Sequence, residues 1–374
     1  MTIYWIYITI CLLAAIVALF TIPLIKDAAL RFKKLDAPSE RKMHQQPMVR
    51  LGGVAICFAT LFAIASSFFL FDLSAAFEEI PVAINSPIVP LLVGSVGFFL
   101  IGFADDLFDL SALHRLWLQG AIAAALWAFG LRVDVVFFPG IEPFSLGWLG
   151  LPITVIWLTG VVNAINWIDG LDGLAAGISA IVAAVVIVLS IATAQPMVAL
   201  ISSALLGSLL GFLVYNYNPA EIFMGDGGSY FLGFMLASLS GISVQSVESS
   251  SASLLPLLIL AIPIGDMTSV IAARLFQKRS PFSADNLHLH HRLLAFGLPY
   301  RTVVWVMYVL TFATGAFALA TAGVAGPLTV TAGGAVLVGF FLWQLIVKIS
   351  GQLVSQSQGS NVVVRKTTWY SENL

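Results

Sequence analysis

The chain has 374 residues, of which 59% are hydrophobic and only 10% are charged, and its mean hydropathy is +0.99. This composition excludes the water-soluble classes of protein and indicates a helical protein with many membrane spans. The two cysteines, Cys11 and Cys57, each stand alone in an apolar run, so the sequence predicts neither a disulfide framework nor a cysteine metal site.

The apolar runs predict about eleven transmembrane helices, since each is continuously apolar over roughly the 20 residues that a span requires. A lone span must satisfy its backbone hydrogen bonds internally, which favours helices over strands. The first run has no basic residue ahead of it and is interpreted as a retained span rather than a cleaved signal peptide. The predicted spans are 2–25, 52–72, 86–104, 113–131, 148–168, 174–192, 197–214, 228–246, 253–273, 301–322 and 326–348. We therefore expect an all-α polytopic integral membrane protein, with one transmembrane domain over 1–350 and a cytoplasmic tail over 351–374.

Basic residues are concentrated in two of the predicted linkers, an asymmetry that the formal net charge of −2 conceals. Seven Lys and Arg residues occur from Lys26 to Arg50, after the first span, and five occur from Arg274 to Arg301, after the ninth. The positive-inside rule makes both linkers cytoplasmic. With eleven spans, the N-terminus is then expected outside and the C-terminus in the cytoplasm.

Four polar segments share the cytoplasmic side in this topology. They lie around Asp105, Asp169, Asp226 and His288, each where an odd-numbered span leads to an even-numbered one. Ionisable groups at the end of a span lose hydration that only a partner, a cation or a polar ligand restores, which makes them functional candidates. The sequence therefore predicts one active or binding site on the cytoplasmic face.

The densest of these segments places Asn163, Asn166, Asp169 and Asp172 at spacings of three residues. In a helix, such residues would drift slowly around a single face. Glycines at 170 and 173 are expected to break that helix and to allow a ligand to approach the backbone closely. The alternative is an ordinary turn, which Asn, Asp and Gly also favour.

Asp105, Asp106 and Asp109 end the predicted third span. In helical geometry Asp105 and Asp109 lie one turn apart on one face, and three acids so close repel one another. A divalent cation relieves that repulsion, and Mg²⁺ suits a site made only of oxygen ligands. The alternative is a helix end that is solvated among the lipid headgroups.

The turn from Met224 to Ser229 begins the eighth span with glycines and a serine, a pattern that can bind an anion at a helix start. Asp226 would repel an anion unless a metal ion lies between them, so Asp226 is our first choice of Mg²⁺ ligand. No Walker motif occurs in the sequence, and ATP hydrolysis is unsupported.

The remaining candidates are basic or imidazole side chains. Lys42 and His44 lie in a turn-rich basic segment that either holds phosphate oxygens or serves only as a topology signal. Three histidines and an arginine follow the ninth span, and we interpret the imidazoles as hydrogen-bond donors to phosphate or sugar hydroxyls rather than zinc ligands. These four residues are His288, His290, His291 and Arg292. Asp266, two turns before Arg274, is interpreted as a contact between neighbouring helices or as a residue that holds site residues in place without touching substrate.

Together these motifs resemble the polyprenyl-phosphate N-acetylhexosamine-1-phosphate transferases of glycosyltransferase family 4, over about Asp36–Leu294. Within that superfamily the chain is more similar to the undecaprenyl-phosphate N-acetylglucosaminyl 1-phosphate transferases than to the muramoyl-pentapeptide transferases. The latter typically carry His-His-His-x-Glu where this chain has His288-Leu-His-His-Arg292.

The resemblance implies an enzyme that transfers N-acetylglucosamine 1-phosphate from UDP-N-acetylglucosamine to undecaprenyl phosphate and releases UMP. It further implies a multi-pass location in the bacterial inner membrane, the start of a lipid-linked glycan such as O-antigen, and Mg²⁺ as cofactor with Mn²⁺ as an alternative ion. By the same resemblance Asp226 and Asn166 match metal ligands, Asp105 and Asp106 match the catalytic acid pair, and Asp172 matches a position that meets the uracil. Arg115 and the segment with His288, His290, His291 and Arg292 fall where the family binds sugar or pyrophosphate. From the residues themselves we add Asp169 to the catalytic candidates and Asn163, Lys42 and His44 to the substrate-binding candidates. We expect the lipid bilayer as a partner, no nucleic acid, and a homodimer as one oligomeric state.

Other functions remain open from the sequence. The same chemistry could act on another UDP-N-acetylhexosamine, including UDP-N-acetylmuramoyl-pentapeptide. An ion-coupled transporter also uses membrane acids, but it places them near mid-membrane rather than at one surface. A CDP-alcohol phosphotransferase is disfavoured, because Ala176 stands where its motif requires Arg.

Overall fold

The computed structural model describes residues 2–31, 48–71, 73, 87–133, 135–138, 141–245, 247, 252–281, 286–324 and 326. Its α-helices are α1 (Thr2–Arg31), α2 (Gly52–Leu70), α3 (Ile88–Phe108), α4 (Ala112–Ala128), α5 (Gly150–Ile168), α6 (Leu174–Ala192), α7 (Pro196–Asn216), α8 (Gly225–Ser243), α9 (Leu255–Ile259), α10 (Ala261–Phe276), α11 (Leu289–Ala295) and α12 (Tyr300–Thr321). The first ten predicted spans each overlap a helix. The eleventh, the tail over 351–374, and the candidates Lys42 and His44 lie outside the described residues.

Within the described residues, seven helices are long and apolar enough to cross a membrane. The number is eight if the segments Ala252–Ile259 and Ala261–Phe276, which meet at 77°, count as one broken span. The break has a local cause, since Pro263 lacks the N–H that would bond to Ile259 and its ring crowds that carbonyl. A polytopic helical membrane protein is therefore supported, while the number of eleven spans and the orientation stay predictions.

A short β-hairpin is the one departure from helical structure in the described segments. Strand β1 (Val135–Phe138) pairs antiparallel with β2 (Ile141–Ser145) between α4 and α5. No strand is predicted there from the sequence. The four Val and Phe residues of β1 favour an extended chain, and the run is too short for a helix.

Helix α8 lies at the centre of the bundle, and nearly all of its residues are buried. It packs against α2, α3, α5, α6 and α9. The close approach of α2 and α3 to α8 depends on small residues at the contacts. Such residues are usual between membrane helices, because lipid provides no hydrophobic force that drives the helices together. A Cβ atom at Gly102 of α3 would lie 2.1 Å from the carbonyl oxygen of Asp226, and one at Gly53 of α2 would lie 2.2 Å from the nitrogen of Gly228. The end of α3 and the start of α2 therefore meet at the start of α8.

The chain before α2 is hydrogen-bonded to the turn before α8. The backbone N–H of Phe223 donates to Val49 at 2.8 Å, Gly52 donates to Phe223 at 2.9 Å, and Gly53 donates to Met224 at 2.7 Å. This backbone ladder brings Arg50 beside the acids at the start of α8.

Candidate active site

Asp106 caps the N-terminus of α8. Its Oδ1 accepts a hydrogen bond of 2.9 Å from the backbone N–H of Asp226, and its Oδ2 accepts one of 2.9 Å from that of Gly227. A carboxylate is stabilised at this position by the unpaired N–H groups and the dipole of the helix. The anion-binding helix start predicted from the sequence is therefore occupied by a side chain of the protein itself.

Asp105 points to a different partner from its neighbour. Its Oδ2 accepts a hydrogen bond of 2.5 Å from the Arg115 guanidinium, and its Oδ1 accepts one of 2.8 Å from the N–H of Leu110. Asp105 is 5% exposed, so its carboxylate is shielded from water, whereas 27% of the Arg115 side chain is exposed. Asp105 thereby fixes Arg115, which was predicted to bind substrate.

Asp109 does not share a helical face with Asp105. Helix α3 ends at Phe108, and Asp109 adopts a left-handed conformation with a φ of 50°. Its N–H donates to the carbonyl of Asp105 at 2.9 Å, which closes the helix. The expectation that Asp105 and Asp109 lie one turn apart on one helical face is therefore wrong, because α3 ends before Asp109 and the chain changes direction there.

Asp226 and Asn166, the two predicted ligands of one ion, lie side by side and are hydrogen-bonded to each other. Nδ2 of Asn166 is 2.6 Å from Oδ1 of Asp226 and 2.9 Å from Oγ of Ser229. A guanidinium nitrogen of Arg50 lies 3.9 Å from Oδ2 of Asp226. Three segments distant in sequence thus converge on one carboxylate.

The donor set at this point fits Mg²⁺ better than zinc. Within the described residues, no three His, Cys, Asp or Glu side chains are grouped as they would be around a metal ion. Mg²⁺ usually takes one or two protein carboxylates and completes its shell with water and substrate phosphates. Asp226 supplies one such carboxylate. Asn166 donates its Nδ2–H group to that carboxylate and to Ser229, so its side-chain oxygen would face an ion only with the amide group turned over.

Asp169 follows the last residue of α5, and the predicted break in the helix lies between α5 and α6, with Gly173 directly before α6. Gly173 has a φ of 77°, which favours glycine over other residues. Burial raises the pKa of Asp169 to about 7, Arg50 opposes the shift, and the carboxylates of Asp226 and Asp106 add to it. Asp169 can therefore gain or lose a proton near neutral pH.

Asp172 is tied to the loop that precedes α8. Its Oδ2 accepts hydrogen bonds from Nδ2 of Asn218 at 3.0 Å and from the N–H of Ala220 at 3.1 Å, and its own N–H donates to the hydroxyl of Tyr300. This carboxylate therefore holds a loop in addition to any contact with a nucleotide.

Asn163 lies one turn deeper along α5 than Asn166. Its Nδ2 donates to Oε1 of Gln119 at 2.8 Å and to the carbonyl of Thr159 at 2.7 Å. Gln119 is completely buried, and its Nε2 has no hydrogen-bond partner within the described segments. The structure thus places Asn163 in contact with α4, one helical turn beyond Arg115.

The histidine segment packs against the chain that follows α5. A Cβ atom at Gly170 would lie 2.5 Å from Nε2 of His290, and the His290 ring is 4.3 Å from that of His291 and 5.6 Å from that of His288, between centroids. His290 is 1% exposed. Burial, reinforced by the neighbouring His291, lowers the pKa of His290 to about 3. His290 is consequently neutral at physiological pH, whereas Arg292 is exposed.

The structure brings Asp106, Asp226 and Asn166 together at the start of α8, whereas Asn163, Asp172 and the histidine segment contact other parts of the chain. Arg50, which lies beside Asp226, and Gln119, the partner of Asn163, are not among the site residues predicted from the sequence. The Gly52-Gly53 pair was the available signal for Arg50, since adjacent glycines indicate close backbone approach. Nothing in the sequence indicated a role for Gln119, because a single Gln in an apolar helix forms no recognisable motif.

The chain is similar to known proteins over this part of the fold. The model of glycosyl transferase family 4 matches residues 88–244, from α3 to the end of α8. A Bacillus subtilis (strain 168) protein named "Probable undecaprenyl-phosphate N-acetylglucosaminyl 1-phosphate transferase" is 34% identical, over 80% of this chain and 81% of its own. The chain belongs to glycosyl transferase family 4. It is a member of the polyprenyl-phosphate N-acetylhexosamine-1-phosphate transferase superfamily, as its motifs indicated.

Two further relatives extend the comparison. The decaprenyl-phosphate N-acetylglucosaminephosphotransferase of Mycobacterium leprae (strain TN) is 33% identical, over 80% of this chain and 79% of its own. The undecaprenyl-phosphate alpha-N-acetylglucosaminyl 1-phosphate transferase of Thermotoga maritima is 32% identical, over 74% of this chain and 78% of its own. The prediction of a phosphotransferase is confirmed at the level of this family of multi-pass membrane enzymes.

Proposed function

We propose that the protein transfers N-acetylglucosamine 1-phosphate from UDP-N-acetylglucosamine to undecaprenyl phosphate. An oxygen of the lipid phosphate attacks the phosphorus next to the sugar. A new P–O bond forms, the pyrophosphate bond breaks, and UMP leaves with its electron pair. The product would start a lipid-linked glycan, such as O-antigen, at the cytoplasmic face of the bacterial inner membrane.

The observation that carries this proposal is the convergence of Asp226, Asn166 and Arg50 at a helix start that Asp106 already caps. Moving a phosphoryl group between two anions requires charge neutralisation and alignment more than covalent assistance. A carboxylate beside an amide and a guanidinium offers a cation site next to a fixed positive charge. The names of the relatives support the same donor and acceptor classes.

The ion that we assign to Asp226 and Asn166 is Mg²⁺, with Mn²⁺ as an alternative. When bound, it supplies charge neutralisation for the pyrophosphate oxygens. Arg115, held by Asp105, and Arg50 are the guanidinium groups that can bind the remaining phosphate oxygens. Asp169 is the group that we assign to take the last proton of the lipid phosphate, because its pKa of about 7 matches that task.

The reaction is tested with purified protein, UDP-N-acetylglucosamine and undecaprenyl phosphate. We expect Mg²⁺-dependent release of UMP that requires both substrates and stops when the ion is chelated. A panel of other UDP-N-acetylhexosamines, including UDP-N-acetylmuramoyl-pentapeptide, gives the donor preference. Absence of UMP release with every donor, together with substrate flux across liposomes, would favour a transporter instead.

A further inference from the structure

Asp266 lies in α10, outside the group of acids at the start of α8, and uses both of its carboxylate oxygens. Oδ2 is 2.8 Å from Nδ1 of His288, and Oδ1 accepts a hydrogen bond of 2.6 Å from the backbone N–H of Leu289. Only 1% of the Asp266 side chain and 10% of the His288 side chain are exposed. Burying ionisable groups is costly unless they are paired, so each of these two side chains needs the other at this buried position.

The contact determines which nitrogen of His288 carries hydrogen. An ionised carboxylate can only accept hydrogen bonds, so Nδ1 of His288 must be the protonated nitrogen. In a neutral imidazole the other nitrogen, Nε2, is then an acceptor. Because Asp266 also holds the N–H of Leu289, one side chain fixes both the ring of His288 and the backbone at the start of α11.

Trp167 holds the same ring from a second side. The rings of Trp167 and His288 meet edge to face with centroids 5.7 Å apart, and the guanidinium of Arg274 lies 4.9 Å from the centroid of the Trp167 ring. Trp167 directly follows Asn166 in α5. The oriented imidazole is therefore packed against the segment that carries the candidate metal ligand.

We propose that Asp266 is a positioning residue of the transfer reaction. It holds His288 in the Nδ1–H form, so that Nε2 accepts a hydrogen bond from a hydroxyl group of the donor sugar, the reverse of the donor role expected for this imidazole from the sequence. The inference rests on the proposed function, since it takes the donor to be a nucleotide sugar. Asp266 itself touches no reacting group.

The variant Asp266→Asn tests the role with little change in shape. The Asn oxygen can keep the hydrogen bond from Leu289, but its NH₂ group then faces Nδ1 of His288. Two donors cannot pair, so the hydrogen of the ring moves to Nε2 and converts it from acceptor to donor. A residue that only braces helices would not control this tautomer.

The tautomer is measured by ¹⁵N NMR on protein labelled in its histidine rings, of which the chain has five. His288→Gln assigns the signal. We expect a protonated Nδ1 in the unmodified protein and a protonated Nε2 in D266N. A protonated Nε2 in the unmodified protein, which requires no variant to fold, would overturn the proposal.

Activity gives an independent test through a double-mutant comparison. Loss of such a supporting contact typically costs about 10–100-fold, and we expect D266N to lower kcat/KM for the donor by that factor. D266N combined with H288Q should be no slower than H288Q alone, because both changes act through one ring. If the double variant instead lost kcat/KM by the product of the two single losses, Asp266 would act independently of His288.

Thr268→Ala is the matched control on the same helix, since the exposed Thr268 hydroxyl bonds only to carbonyls of α10. It should leave the tautomer and kcat/KM unchanged. If the unmodified protein released no UMP from any nucleotide sugar, the proposed function would fail. The NMR result on the Asp266 contact would still be decided separately.

Discussion

Asp106 holds Asp226 through the backbone: the Asp106 carboxylate accepts the N–H of Asp226 at 2.9 Å, while the Asp226 side chain remains directed at Asn166. The resemblance assigned Asp106 to catalysis and Asp226 to metal binding. In the structure Asp106 caps the helix that carries Asp226 and so positions it. The acid pair at 105 and 106 therefore has a structural task in addition to any catalytic one.

This linkage predicts that Asp106→Ala destabilises the protein as well as lowering its activity. Removal of a helix N-cap costs about 0.5–2 kcal/mol, and both N–H groups at the start of α8 would lose their acceptor. We expect a lower midpoint of thermal unfolding in detergent. Asp106→Asn keeps one acceptor and should fall between the alanine variant and the unmodified protein. An alanine variant with an unchanged midpoint would remove the capping role.

Asp226→Asn should abolish Mg²⁺-dependent UMP release while the protein still inserts into the membrane. The reason is loss of the carboxylate charge that we assign to the ion, at almost constant volume. Asp109→Asn is the control, since Asp109 is exposed, lies outside the cluster, and adopts a left-handed conformation that Asn also tolerates. Normal turnover of D226N would refute the metal assignment.

Much of the architecture was predictable from hydrophobic pattern, because a membrane span must be a long apolar helix. The central helix is harder to recognise, since α8 begins with Gly225-Asp226-Gly-Gly and is buried by protein rather than lipid. Pro263 and Gly173 both lie at breaks between helices in the structure. Only the break at Gly173 was predicted from the sequence.

The sequence singled out Asp106, Asp226 and Asn166, which lie together at the start of α8, but not how these side chains pair. Sequence spacing identified Asp105 and Asp106, yet it could not show that one binds Arg115 and the other caps α8. Such pairing depends on which face of α3 approaches α8, and that approach is set by Gly102 against Asp226. A glycine contact between distant helices leaves no local pattern in one sequence.

Asp172→Ala should weaken binding of UMP more than binding of the lipid. The substitution removes the carboxylate that the resemblance assigns to the uracil, and it also releases the loop at Asn218 and Ala220. Asn218→Ala separates the two effects, because it removes one loop contact and keeps the carboxylate. Calorimetric titration with UMP measures both variants. Equal weakening by D172A and N218A would indicate that Asp172 acts through the loop alone.

His290 predicts a dependence of stability on pH. Its pKa is about 3 in the folded protein, and an exposed histidine in the unfolded chain has a value of about 6.5. Between those values the unfolded state binds more protons, so the free energy of unfolding decreases as pH falls through this window. His290→Gln removes the titrating group, and its unfolding midpoint should therefore fall less than that of the unmodified protein between about pH 7.5 and pH 5.

His114→Gln, at an exposed ring bonded to Ser111, is the control and should follow the unmodified protein. Parallel curves for H290Q and the unmodified protein would show that the buried imidazole does not oppose protonation.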